Sequence, residues 1–196
     1  TITAKNLFYN TPGRRNFLKS TPTEYKYIVD VVQRAALAHP ELAITFISND
    51  ETIFSLRPSD LTARVRSLFG EKLADTIFPF EDDAGFVAVK GFLGKPDFAR
   101  KTRTEQYLYL NNRPIVNRSI NHAVYQGYEN MLEKGSFPVF VLFLTIDPRK
   151  VDVNVHPTKL EVRFQDSGRL YSQLLSTLRG KFLTTDLTSR GQAPGG

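Results

Sequence analysis

Cysteine is absent from these 196 residues, so neither a disulfide framework nor a thiolate metal site can form. Histidine is scarce. His39, His122 and His156 lie far apart in sequence, and a histidine-based metal centre is not expected. No stretch approaches the ~18 uninterrupted apolar residues that a membrane-spanning helix needs. There is no secretory signal, no internal repeat, and no glycine-rich phosphate loop. A soluble intracellular protein is the expectation. The first residue is Thr1 rather than Met, and the opening residues already have a strand-like pattern, as in a segment of a longer protein.

What is present is enough to build a core. The chain is 41% hydrophobic and carries fifteen Phe and eight Tyr, which allows one domain or two small ones. The net charge of +6 is unevenly spread. Residues 1–20 hold Lys5, Arg14, Arg15 and Lys19 without an acid. Residues 95–118 hold six basic groups against Asp97 and Glu105, while residues 59–90 hold four against six acids. Segregated positive charge is the footprint of a polyanion partner, although +6 also suits an ordinary solvated surface.

The periodicities give a mixed order of elements. Ile2 to Phe8 has the pattern of a strand closed by the turn Asn10-Thr11-Pro12-Gly13. Thr21-Pro22-Thr23-Glu24 has helix-start chemistry, and Tyr25, Ile28, Val29, Val32, Ala35 and Ala36 follow at three-and-four spacing as a buried face, stopped by Pro40. Leu42–Ser48 and Thr52–Leu56 alternate around Asn49-Asp50 as a hairpin. After a linker at Arg57–Asp60, Ser59 or Asp60 caps a helix that runs to Phe69, with Gly70 at its C-terminal end. Phe86–Leu93 and Gln106–Leu110 are expected strands, and Ser119–Leu132 a helix. Pro138–Ile146, almost wholly apolar, is expected as a central strand covered on both faces. Asp166–Phe182 closes the order as a helix, and residues 184–196 are expected to be a disordered tail. The class is α/β or α+β.

Val151 to Phe164 says most about use. It opens with period-two alternation, is broken by Pro157 and resumes at Leu160, leaving Lys159 beside His156 at a strand-to-loop junction. A lysine fixed there can offer a point charge to a phosphate, or be an ordinary exposed lysine. Asn154, His156 and Pro157 fit a loop-shaping role better than a reactive one.

Three segments together resemble the MutL family of DNA mismatch-repair ATPases. They are Asn6-Leu7-Phe8-Tyr9-Asn10-Thr11-Pro12-Gly13-Arg14-Arg15-Asn16-Phe17-Leu18, then Tyr107 to Pro114 with Asn121-His122-Ala123, and Val151 to Phe164 with its Asp147-Pro148 lead-in. The resemblance implies that residues 1–57 end a Bergerat-type (GHKL) ATPase sandwich and that residues 58–183 form a gyrase B-like transducer domain. The family's nucleotide motifs, namely the water-activating Glu, the magnesium-holding Asn, the Asp-x-Gly-x-Gly loop and the glycine-rich lid, are not in this sequence. The resemblance therefore implies a magnesium-dependent ATPase in a longer protein and no turnover by this stretch alone.

By the same resemblance Lys159 contacts the γ-phosphate of ATP and Arg113 contacts DNA, with Arg100, Lys101 and Arg103 on the approach and Arg118 beyond. Arginines on exposed turns suit phosphate contacts that do not read bases. Where the family commonly has Asn-Gly-Arg this chain has Asn111-Asn112-Arg113, and Asn tolerates positive φ. Asn10, Thr11, Pro12, Arg14 and Arg15 form a second basic locus, in which the two arginines either contact DNA or pair with internal carboxylates. Phe17 and Leu18 are expected in the core. The implied partners are DNA, bound without sequence preference, MutS and downstream repair factors, with a homodimer in the full-length protein and a cytoplasmic, nucleoid-associated location. The alternative is a non-enzymatic nucleic-acid-binding module built on the same basic patches.

Overall fold

The computed structural model describes residues 1–152, 161–185 and 187, apart from the side chain of Asn130. Lys159, Asn154, His156, Pro157 and nearly all of the C-terminal tail lie outside the described residues.

The N-terminal stretch departs from the sequence reading. Residues 2–8 form no strand. Asn6 and Phe8 both take positive φ, and successive turns run from Asn6 to Thr11. Pro12 opens a one-turn helix, α1 (Pro12–Asn16), where its fixed φ and missing N–H cost nothing. Phe17 and Leu18 are exposed, not core, because no described element packs over α1. Helix α2 (Thr21–Ala38) forms with Pro22 and Glu24 in its first turn, but the residue before it, Ser20, is the N-cap and no side-chain hydrogen bond caps it. Its burial is confined to Ala36, Leu37 and Ala38, while Tyr25, Ile28 and Ala35 of the expected buried face are exposed.

Next comes the hairpin β1 (Ile44–Ser48) and β2 (Glu51–Leu56), turned by Asn49 and Asp50, both at positive φ. The Asp60 carboxylate caps α3 (Leu61–Phe69) by accepting from the Ala63 N–H at 2.7 Å, and Gly70 ends it at φ 82. A single turn, α4 (Glu71–Ala74), leads into β3 (Ile77–Asp82) and β4 (Ala88–Gly94). Then follow β5 (Gln106–Leu110), β6 (Arg113–Pro114) and α5 (Arg118–Tyr128), whose N-cap is Asn117. The expected helix to Leu132 ends early, its last turn becoming a 3-10 turn over Glu129–Met131. Strand β7 (Phe140–Thr145), the two-residue strands β8 (Val151–Asp152) and β9 (Arg163–Phe164), and α6 (Ser167–Thr184) complete the order.

Five strands form one sheet in the order β3-β4-β7-β5-β6, parallel only between β5 and β7. The β7 side chains alternate between two clusters, as a strand covered on both faces must. Phe140, Leu142 and Leu144 join Ile120, Val124, Leu174 and Leu178 of α5 and α6, while Val141 and Phe143 join Leu37 of α2 and Val65 of α3. A Cβ on Gly91, in β4, would overlap the Val141 carbonyl, so this glycine lets β4 and β7 meet. Fully burying each large aliphatic or aromatic side chain is worth about 1.5–3 kcal/mol, so the sheet and α5–α6 dominate the stability.

Candidate nucleic-acid interface

Arg113 sits where a tight hairpin turns. Asn111 and Asn112 lie between β5 and β6 with φ 47 and 64, the left-handed pair of a type I′ turn. The departure from Asn-Gly therefore keeps the turn. Asn111 also locks it to the sheet: its backbone N–H donates to the Leu144 carbonyl at 2.8 Å. Its side chain donates to the Ile146 carbonyl and accepts from the Ile146 N–H, both at 3.1 Å. Arg113 is thus an exposed cation on a rigid support, with no ion pair among the described residues.

The other basic residues separate into free and engaged groups. The Lys101 ammonium donates to Glu133 at 2.8 Å and to the Ser136 hydroxyl at 3.0 Å, and it holds the Glu133 carboxyl below the usual carboxylate range. Arg100 pairs with Glu105 at 3.4 Å. By contrast, the Arg103 guanidinium lies over the Phe137 ring, 4.8 Å from its centroid. A two-way backbone bridge between Arg100 and Phe137 brings that ring to this segment. Arg14 and Arg15 project from the exposed α1 and pair with no carboxylate among the described residues.

Arg103 and Arg118 share a groove of about 650 Å³ with Gln106, His122, Tyr125 and Phe137. Among the described residues no Asp or Glu lines it, although Arg118 and Ser119 also line a neighbouring cleft with Glu161. Arg118, His122 and Tyr125 project along one α5 stripe at i, i+4 and i+7. His122 Nδ1 is held 2.9 Å from the Tyr171 hydroxyl, with the two rings stacked at 5.8 Å. Arg113 is not part of this groove. It faces Leu110 at the far end of β5 from Gln106, roughly 13 Å away along the strand at ~3.3 Å per residue.

Sequence reading named Arg103 and Arg118 but missed Gln106, Tyr125 and Phe137. The Arg118-His122-Tyr125 stripe was readable from helical spacing, but the other wall depends on the bridge to Phe137.

Further along the chain, β8 and β9 pair Val151 with Phe164 and Asp152 with Arg163. The Gln165 amide N–H donates to the Lys150 carbonyl at 3.0 Å, and its side chain to the Arg149 carbonyl at 2.8 Å. Chain segments on either side of residues 153–160 are therefore pinned together. Arg149 is held by Asp147 at 2.7 Å, which keeps the carboxyl below its ordinary value. Among the described residues no three His, Asp or Glu side chains group as a metal would require, and no helix is long and apolar enough to cross a membrane.

Comparison with known proteins agrees with this architecture. The family described as "DNA mismatch repair protein, C-terminal domain" matches residues 65–183. The chain is 41% identical over 178 residues to a DNA mismatch repair protein MutL of Christiangramia forsetii, covering 91% of this chain and 29% of that protein. It is 44% identical to one from Chlorobium phaeobacteroides strain BS1, covering 91% and 28%. The chain thus spans less than a third of the length of these relatives. Among solved structures it resembles the N-terminal domain of a DNA repair protein with a TM-score of 0.76 at 20% identity, over 90% of this chain and 59% of that one. It also resembles the Aquifex aeolicus MutL ATPase domain complexed with ADP, with a TM-score of 0.56 at 24% identity over 73% and 51%. These two likenesses show a shared fold.

Proposed function

The chain belongs to the MutL family of DNA mismatch repair proteins, and from that premise we propose that it holds DNA and couples that hold to ATP in the full-length protein. The observation that supports the DNA role best is the presentation of Arg113: a guanidinium with no ion pair among the described residues, on a type I′ turn locked to the central strand. Such a cation positions a phosphate without reading sequence. Arg103 and Arg118, neither in an ion pair among the described residues, extend the positive surface, while Lys101, engaged with Glu133, contributes less than its formal charge.

In this reading residues 1–57 end the ATPase domain, residues 58–183 form the transducer, and Lys159 contacts the terminal phosphate of ATP. The β8–β9 pair supports this reading by holding the two flanks of that segment together. ATP supplies a charged phosphate that distinguishes one state from another. Lys159 neutralises charge at that phosphate and reports its presence. No described residue is assigned to magnesium. Homodimerisation, recruitment of MutS and later repair factors, and a nucleoid-associated location in the cytoplasm follow the same reading.

The test is titration of labelled duplex DNA with full-length protein at several salt concentrations, wild type against Arg113→Glu. A linear fall of log affinity with log salt is expected, with weaker binding and a shallower slope in the variant. Equal affinities and slopes would remove Arg113 from the DNA surface. The rival reading, a basic module without a nucleotide role, predicts the same salt dependence but no response to ATP.

A further inference from the structure

The β1–β2 hairpin is tied to the rest of the chain by one side chain more than by a core. Of its strand residues only Leu56 is buried, and none joins either core cluster. Both ends of the hairpin are instead held by Arg64, which is fully buried. Helical side chains lean toward the helix N-terminus, so Arg64, one turn into α3, reaches back over the linker that precedes it. Its Nη2 donates to the carbonyls of Pro40 and Leu42, which precede β1, at 2.6 Å. The same nitrogen donates to the carbonyl of Arg57, which follows β2, at 3.2 Å. The Ser59 N–H closes this root onto the Pro40 carbonyl at 2.9 Å.

No carboxylate pairs with this guanidinium among the described residues. Glu41, between the two carbonyl-bearing residues, is engaged with His39 instead, its Oε1 3.1 Å from Nδ1. The arginine is therefore not there to satisfy a buried acid. What it supplies is geometry, a planar fork with five N–H donors. Its Nε and Nη1 have no partner among the described residues. When the hairpin root tilts, a carbonyl that leaves Nη2 meets another N–H of the same plane, so the root can turn without coming free. The next residue, Val65, packs in one cluster with Val141 and Phe143 of β7. In turn β7 holds the Arg113 turn, the Leu144 carbonyl accepting from the Asn111 N–H at 2.8 Å. We infer that Arg64 is a positioning residue, the pivot through which a turn of the β1–β2 hairpin on the ATP side reaches the sheet that presents Arg113.

The assignment rests on the ATP-coupled reading above, and one experiment separates the two. Duplex DNA affinity of the full-length protein is measured with and without a non-hydrolysable ATP analogue in wild type, Arg64→Met, Arg64→Lys and Val124→Ala. Val124 is fully buried in the cluster on the opposite face of the sheet, so its truncation loosens the fold away from the pivot. Far-ultraviolet circular dichroism and the unfolding midpoint check each fold. Wild type should change affinity by about fivefold or more with the analogue. Arg64→Met should change by less than about twofold, while its affinity without the analogue stays within about twofold of wild type. Arg64→Lys keeps the charge but not the planar fork, so its response should fall between, and it stays informative if Arg64→Met does not fold. Val124→Ala should keep the wild-type response. A wild-type response in every folded Arg64 variant overturns the pivot and leaves the coupling reading standing. A response lost equally in Val124→Ala assigns the effect to general stability and also overturns the pivot. No response in folded wild type overturns the coupling reading and the pivot together.

Discussion

The two faces of the five-stranded sheet are held by different physics. Against α5 and α6 the contact is a broad apolar seam, in which Leu142, Leu144, Val124, Leu174 and Leu178 are fully buried. Its buried tyrosine is satisfied locally, the Tyr128 hydroxyl donating to the Gly94 carbonyl at 2.7 Å. Against α2 and α3 the apolar cluster is smaller and is joined by directional polar contacts. The Tyr109 hydroxyl donates to the Arg34 carbonyl at 2.9 Å, and the Arg34 guanidinium lies 5.0 Å over the Tyr107 ring. Arg64 is fully buried and donates through Nη2 to the carbonyls of Pro40 and Leu42 at 2.6 Å and of Arg57 at 3.2 Å. Among the described residues its Nε and Nη1 have no partner, and burial lowers its pKa, so the site is costly to maintain. The lesson is a division of labour. One face is a scaffold that fixes the hairpin and groove, and the other is a pinned joint between the β1–β2 side of the chain and the sheet.

That contrast can be broken from either side. Leu174→Ala should have the largest effect, lowering stability by about 2–5 kcal/mol through lost burial and the cavity left behind. Urea unfolding would measure it, and a loss under ~1 kcal/mol would mean that the seam collapses readily. Arg64→Met should cost less, about 1–3 kcal/mol, because three carbonyls lose a donor while a costly buried cation is relieved. A stabilised variant would show that the pin is maintained at the expense of stability. Tyr109→Phe should cost about 0.5–1.5 kcal/mol, the usual worth of one hydrogen bond. An unchanged midpoint would remove it from the joint.

A smaller, pH-dependent effect belongs to the scaffold side. Asp82 accepts from the Thr177 hydroxyl at 2.8 Å, from Gln173 at 3.2 Å and from the Ala84 N–H at 3.1 Å. These bonds, the one from Thr177 foremost, hold its carboxyl below the ordinary value. The contribution is therefore present above the unfolded aspartate pKa of about 3.9 and lost as pH falls through the lower folded value. Unfolding midpoints of wild type and Asp82→Asn should differ at pH 7 and converge below about pH 4. A difference that persists at pH 2 would assign the effect to packing.

Elements with strong local chemistry were legible in sequence. Asp60 and Gly70 bound α3, Asn49-Asp50 turn the β1–β2 hairpin, and the unbroken apolar run of β7 identifies the central strand. Strand β3 was missed because Pro79 interrupts it, yet β3 is an edge strand, where a residue without an N–H is tolerated. The expected strand at Ile2–Phe8 failed because alternation does not guarantee a partner, and none of the described strands lies beside it. The face of α2 failed for a related reason: spacing marks which side is apolar but not how far along the helix something covers it. In the site, Arg113 and its turn were readable from three adjacent residues. The groove was only half readable, since one wall lies on a single helix and the other is assembled by a bridge between residues 100 and 137.

If the polar face is a joint between a nucleotide side and a DNA side, the two ligands must influence each other's affinity. The direct measurement is duplex DNA affinity of the full-length protein with and without a non-hydrolysable ATP analogue, in wild type and in Lys159→Ala. The account predicts an affinity shift of about fivefold or more in wild type, within the usual range of such couplings, and its loss in the variant. Equal affinities with and without the analogue in folded wild type would contradict the coupling and leave a DNA-binding module without a nucleotide role.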